Sequence, residues 1–588
     1  MFNKKVNSLI NKEIEEFNSF IKEGLKTSYE TESGNGALKY SSTGNDFVDN
    51  FAAISYFKEP RPYSQVAQDM SRLWSINPLL TVKLAVYIRM ITRKSIVYND
   101  EKSETLDTQR GQGLKNEGIM RFMWLALNHP ETFKINIPLF IAAGSWKDIF
   151  QMLSLDLQYH GWDGRKLDWN FLYKVICAGL NNPKTSSLVR KYLPTIRTNS
   201  KSITIESQAN TLIGRWIASR LFSEKNRKGD IFYIYSKYRH LKSEGKAHDW
   251  QQKISKQLYE YINFNNIAGR ALSLLVSSKF LENHNLTEKY SKWISSKPAA
   301  KYTGFVFELF KPLGDYHRAV ELPDYQEQTI QAQFNQLVET GKGNMSTQSK
   351  LLVVRDISGS MVSRAIGTNM SSYAIGKAMA LYFSEFLDGA FKNAYAVFAD
   401  DCELRVWKGN SVCDKWRNDI DIDFGSTNFL SVAKLLVKIR NSGVPESEFP
   451  TGVLALSDGE FDSTDEWNDS YGANSTNFKM FRELLKEGEF SEDYVNNFKL
   501  ILWDLPNGYY GGSGPKFEDF ADAPNNYYLS GYDPSAIAFI MGNGEFKASP
   551  RNAEELFTVA MDQELLNRLT IIPKDRVSVL GKKKNKLK

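Results

Sequence analysis

The sequence predicts a multidomain protein: an all-α helical N-terminal domain followed by an α/β domain with a doubly wound, mostly parallel sheet. Three observations predict it. The apolar, β-branched run Leu351-Leu352-Val353-Val354 ends abruptly in the polar loop Asp356-Ile357-Ser358-Gly359-Ser360. Beyond it, strand-like and helix-like segments alternate, the pattern of a parallel sheet covered on both faces. Before it, from Ser71 to Phe310, apolar residues recur at helical spacing with short polar breaks.

Along the chain, residues 1–50 read as an N-terminal helix and a flexible segment or surface excursion, because 25–47 are rich in Ser, Gly, Thr and Asn. Residues 51–320 read as the helical domain. Its helices are expected over Leu80–Ile91, Ile119–Leu127, Ile137–Ala142, Ile149–Leu155, Phe171–Leu180, Ile205–Leu221, Ile254–Ile262 and Ala271–Leu281. No fixed period is evident, so the expected arrangement is an irregular, HEAT-like solenoid. The Gln-rich stretch 321–349 reads as a linker. Residues 350–572 form the α/β domain, with short strands at Ala394–Ala399, Leu404–Trp407, Phe498–Trp503 and Tyr527–Leu529 and a helix around Phe478–Leu485. Residues 573–588 are a basic tail.

At 588 residues the chain is too long for one core. Three cysteines without metal-type spacing argue against a disulfide framework and for a reducing, cytoplasmic setting. The charged start, Met1 to Glu16, does not read as a signal peptide. Leu79–Thr92, interrupted by Lys83 and Arg89, is too short and too charged for a membrane span. Charge is divided unevenly. Residues 1–350 carry net +14 and residues 351–588 net −8, within an overall +6. Such a basic half is expected either to meet a polyanion or simply to aid solubility.

Three loops carry the chemistry. Asp356, Ser358 and Ser360 follow the first strand, Thr427 in Gly425-Ser426-Thr427-Asn428 opens a helix, and Asp458 in Ser457-Asp458-Gly459 follows another buried strand. Carboxylates and hydroxyls at the carboxyl ends of parallel strands suit a hard cation, since magnesium takes oxygen ligands in near-octahedral geometry and keeps several waters. Aspartate and serine at such loops also cap helices and close turns, the plainer reading. A phosphoryl-transfer enzyme with a nucleophilic aspartate would want a second aspartate two residues on, where Ser358 stands. None of the six histidines pairs at metal-helix spacing and no hydrolase nucleophile turn is present, so no enzyme is expected.

The order Asp-x-Ser-x-Ser, then Thr, then Ser-Asp-Gly resembles the metal-ion-dependent adhesion site of a von Willebrand factor type A domain. The resemblance implies that Ser358, Ser360 and Thr427 hold Mg²⁺ (or Mn²⁺) through their hydroxyls. Asp356 and Asp458 would act mostly through water or as outer acceptors. It also implies that a partner's acidic group completes the coordination, so that the site is adhesive and not catalytic. The wider arrangement is similar to the TROVE proteins of the Ro ribonucleoprotein class and a related family of the same architecture. That likeness rests on Leu80–Arg89, Arg110-Gly111-Gln112-Gly113 with Glu117, Gly144–Phe150, Lys191–Pro194 and Trp503-Asp504-Leu505. Where Ro-like relatives carry a Gly-Lys-Gly-Glu-Arg run, this chain has Gly111-Gln112-Gly113-Leu114-Lys115.

The Ro likeness implies a non-catalytic scaffold for single-stranded or structured RNA, with Arg110, Lys115, Lys147, Lys237 and Arg239 as candidate contacts. Phosphate contacts would supply affinity, and stacking or base-edge contacts would supply specificity. Aromatics and cations interleave in Ile231–His240, although Phe232, Tyr235 and Tyr238 are expected to face a core, and Trp146 to pack. The competing expectation is a protein-interaction or assembly module, of a viral or phage particle for example, with no RNA role.

Overall fold

The apolar runs of the C-terminal half lie side by side in one six-stranded sheet in the computed structural model of the chain. The structure describes residues 30–33, 35–53, 61–99, 102–197, 204–222, 231–245, 249–296, 302, 304–315, 320–342, 350–365, 368–387, 391–421, 425–464, 476–505, 507, 517–519, 521–541 and 550–573. The expected N-terminal helix and most of the basic tail lie outside these residues. Among them the strands are β1 (Glu30–Glu32), β2 (Leu38–Tyr40), β3 (Arg93–Asn99), β4 (Lys102–Gln109), β5 (Leu351–Asp356), β6 (Ala394–Phe398), β7 (Cys402–Val406), β8 (Gly452–Ser457), β9 (Lys499–Asp504) and β10 (Asn526–Ser530).

The chain divides into two compact units. One contains the residues up to Pro60 together with Ala268–Ala560; the other contains Arg61–Ile267 with the residues from Met561 onward.

In the first unit the sheet order is β10-β9-β8-β5-β6-β7. All neighbours run parallel except β6 and β7. β5, β6 and β8 are buried at every position, the continuous apolar signature of strands covered on both faces. β7, at the edge, leaves Leu404 and Val406 exposed. The helix after β5 begins at Ser372. Ser371 caps it by accepting from the Ala374 N–H, and all thirteen of its residues are buried. Helices Leu430–Asn441 and Asn477–Glu487 pack on each other.

Two segments of this unit carry structure that composition did not indicate. Residues 321–349, expected as a linker, contain the helix Asp324–Lys342, with Tyr325, Ile330, Phe334 and Val338 on its buried side. Its glutamines disguise that stripe, and Gln333 is itself buried, donating to the Gly269 carbonyl and accepting from Ser273. Within the stretch expected as a flexible segment or surface excursion, Glu30–Glu32 and Leu38–Tyr40 pair as the antiparallel strands β1 and β2. Helix Asp46–Ala53 follows, with Phe47 and Phe51 against Phe557.

The second unit is predominantly helical. Helices Pro78–Arg89, Lys115–Asn128, Pro130–Ala143, Trp146–His160, Trp169–Asn181 and Ile205–Leu221 realise the predicted apolar stripes. The all-α expectation is corrected by the hairpin β3–β4, whose β-branched Ile96, Val97, Thr105 and Thr108 suit strands and which buries Val97 and Leu106. A helix expected at Ile254–Ile262 is replaced by the end of Asp249–Ser255 and a short 3₁₀ turn, Tyr259–Tyr261. The C-terminal segment joins this unit: Gln563 pairs with the Arg110 backbone, and Asn136 with Thr570. Among the described residues, no helix is long and apolar enough to cross a membrane.

Candidate metal centre

β5 and β8 are adjacent at the middle of the sheet. The chain leaves β5 toward β6 on one side and later returns to β8 on the other. In open α/β sheets the carboxyl ends of strands at such a reversal are where ligands bind. Asp356 ends β5 and Ser457 ends β8. The Ser457 hydroxyl donates to Oδ2 of Asp356 at 2.5 Å, and the Ser358 N–H donates to Oδ1 at 2.8 Å. Both carboxylate oxygens are thereby aimed by neighbours.

The Ser358 and Ser360 hydroxyls lie 3.2 Å apart. Asp458 is held by the Asn507 side-chain amide, which donates to its Oδ2 at 2.8 Å and to the Ser360 carbonyl at 3.0 Å. Gly459 turns the loop at φ +70°, a conformation that favours glycine, and its N–H donates to the Ser457 hydroxyl at 3.0 Å.

The Thr427 loop is drawn in by the Gly359 N–H, which donates to the Gly425 carbonyl at 3.3 Å. A Cβ at Gly425 would lie 2.5 Å from the Asp400 carboxylate, which would have to swing aside. Asp462 fixes Thr427 by accepting its N–H at 3.0 Å and donating its own N–H to the Thr427 carbonyl at 3.0 Å. Asp356, Ser358, Ser360 and Asp458 thus share one local network. Thr427, 1% exposed, joins it through the Asn35 side-chain amide, which donates to Thr427 Oγ1 at 3.3 Å and to the Glu460 carbonyl at 2.8 Å.

Burial, then the charge of Asp458, raises Asp356 to about 7, and burial also raises Asp458. Two buried carboxylates facing each other disfavour full ionisation unless a positive charge enters between them. Two carboxylates and three hydroxyls are a hard, all-oxygen donor set, the kind magnesium and manganese take.

Behind the site lies a charged cluster that was not evident in the sequence. Arg355, wholly buried in β5, donates from Nη2 to Asp419 at 2.7 Å and to Asp421 at 3.0 Å. The Tyr395 and Tyr373 hydroxyls donate to the same two carboxylates. Its members come from separate elements, so no local motif announces it. Asn35 was missed as well. The signal available was its Asn-Gly pair between two short strand-like segments, a hairpin turn signature.

In the second unit the candidate RNA contacts differ in exposure. Arg110 is 4% exposed. Lys115 is half-buried, and its pKa is lowered by burial and then by Lys147, which is exposed. Lys237 and Arg239 are exposed on helix Ile231–Glu244. Of the three aromatics expected to face a core, Tyr238 is buried with its hydroxyl on the Pro194 carbonyl at 2.8 Å, while Phe232 is 78% exposed. Trp146 is buried against Gly179, as expected.

A family model described as a domain of unknown function, DUF2828, matches residues 33–168, and another so described, DUF7788, matches residues 350–575. The second match spans every candidate metal ligand, and the first includes Asn35. No curated protein matches the chain. The mostly parallel six-stranded sheet is compatible with a von Willebrand factor A-like domain.

Proposed function

We propose that the sheet unit is a von Willebrand factor A-like adhesion module that binds one Mg²⁺ or Mn²⁺ and, through it, an acidic group of a protein partner. The observation that carries this reading is the convergence of Asp356, Ser358, Ser360 and Asp458 at the carboxyl ends of β5 and β8, with Thr427 tied alongside. Ser358, Ser360 and Thr427 would supply hydroxyl oxygens, and the two aspartates would hold the ion's waters or bind it directly. The ion would supply a fixed positive charge with room for an outside carboxylate. On this reading the chain is a scaffold and not an enzyme. Isothermal calorimetry of the full chain with MgCl₂ tests it: the wild type should show one site and Asp356→Ala none. Equal affinity in both would overturn it.

A second reading, that the helical unit binds RNA in the manner of the Ro class, is favoured by one feature. A cavity of 370 Å³ in that unit is lined by Lys191, Arg239, Lys242, Thr195, Ser243 and Gln251, together with apolar residues and no carboxylate. Three cations and two hydroxyls around one opening suit a phosphate. RNA binding through this cavity should weaken steeply with salt as counterions are released. A full chain that binds single-stranded RNA no better than Arg239→Glu does would leave the assembly-module alternative standing.

A further inference from the structure

The hairpin of β1 and β2 is docked on the loops that carry the candidate metal ligands. Its turn closes on itself through reciprocal contacts of Ser33 with Ala37, and Gly36 adopts φ +83°. Several further contacts fasten it. The Ser33 hydroxyl donates to the Phe461 carbonyl at 2.6 Å, and the Ser463 N–H donates to the Asn35 carbonyl at 3.2 Å. Tyr40 and Phe517 exchange backbone hydrogen bonds of 2.8 and 2.7 Å. Lys39, fully buried, places Nζ 3.4 Å from Glu518 and over the Phe461 ring. With the hairpin anchored on both sides, the Asn35 amide reaches Thr427 Oγ1 and the Glu460 carbonyl together.

We propose that Asn35 is a positioning residue of the metal site, so that the hairpin and ion occupancy are energetically coupled; this rests on the metal reading above. A threonine hydroxyl offers two acceptor lone pairs and one rotatable proton. If the ion takes one lone pair and the Asn35 N–H the other, the proton is turned away from the ion and the rotor is fixed. The same amide, by also holding the Glu460 carbonyl, ties the Thr427 loop to the Asp458 loop. Groups that orient a metal ligand without touching the ion commonly change affinity by about 10–100-fold. Coupling of this kind is reciprocal, so whatever Asn35 contributes to ion binding, the ion returns to the hairpin.

The test uses the full chain with MgCl₂ as the probe and two readouts, calorimetric affinity and hydrogen exchange of residues 30–40. Wild type should bind, Asp356→Ala should not, and Asn35→Ala should bind about 10-fold more weakly. Saturating Mg²⁺ should slow exchange in the hairpin of the wild type and leave it unchanged in Asn35→Ala, a difference that a packing role alone would not produce. Asn35→Gln, which retains the amide but displaces it by one methylene, serves as the second variant if Asn35→Ala melts earlier than wild type without the ion, and it should weaken binding similarly. Wild-type affinity in a folded Asn35 variant, or hairpin exchange that is indifferent to Mg²⁺ in a wild type that binds it, overturns the inference and leaves the metal reading intact. Absence of Mg²⁺ binding in the wild type overturns the metal reading and the inference with it.

Discussion

The Ser457 hydroxyl donates to Oδ2 of Asp356 across the carboxyl ends of two adjacent parallel strands. Ser457 is not among the candidate ligands, yet its hydroxyl aims one of the two buried carboxylates of the site. Ser457→Ala is therefore expected to weaken Mg²⁺ binding by about 10-fold, the low end for a group that orients a ligand. Calorimetry on the variant checks this. An unchanged affinity would mean that Asp356 is held well enough by the Ser358 N–H alone.

Arg355 should be costly to remove. It is wholly buried and neutralises Asp419 and Asp421, which Arg405 also contacts. Breaking a buried pair by deleting one partner costs about 3–5 kcal/mol because the remaining charge is left uncompensated. Arg355→Met is expected at the lower end, since Arg405 still faces both aspartates. Urea denaturation at neutral pH measures the loss, and a loss below about 1 kcal/mol, the range of exposed pairs, would contradict the account.

How much of this was legible follows from distance along the chain. Asp356, Ser358 and Ser360 lie within one loop, and the buried strands before Asp356 and Asp458 announce themselves by apolar runs, so both the sheet and the candidate ligands could be read locally. Asn35 and Thr427 are 392 residues apart, and nothing in either segment indicates that they meet. The Arg355 cluster is hidden for the same reason. Helix Asp324–Lys342 was hidden by chemistry instead, because buried Gln333 and Thr329 interrupt an apolar stripe that composition alone marks as a linker.

Lys377 gives the sheet unit a pH signature. It is 4% exposed, and burial lowers its pKa from the ordinary 10.5 to about 8, with Asp419 opposing the shift. Between pH 8 and 10.5 the native lysine has released a proton that the unfolded chain still holds. The unfolded state then binds more protons, and stability rises with pH through that window. Lys377→Met should remove this rise. Urea midpoints compared at pH 7.5 and 9.5 should show wild type gaining relative to the variant, and parallel behaviour of the two would refute the assignment.

The cationic cavity makes a separate prediction. Arg239 is exposed at its rim, while Lys242 is engaged with the Lys191 and Leu193 carbonyls. Arg239→Glu should weaken single-stranded RNA binding at low salt and reduce the salt slope by about one phosphate contact. Filter binding across a salt series reads both, and an unaltered slope would remove this cavity from the RNA surface.

The central claim, one hard-cation site at the ends of β5 and β8, is tested most directly by counting bound Mn²⁺ on the full chain by electron paramagnetic resonance. The account predicts one ion per wild-type chain, displaced by excess Mg²⁺, and none for Asp356→Ala of unchanged melting temperature. A wild type that leaves all Mn²⁺ free, or an Asp356→Ala variant that retains the ion, would contradict it.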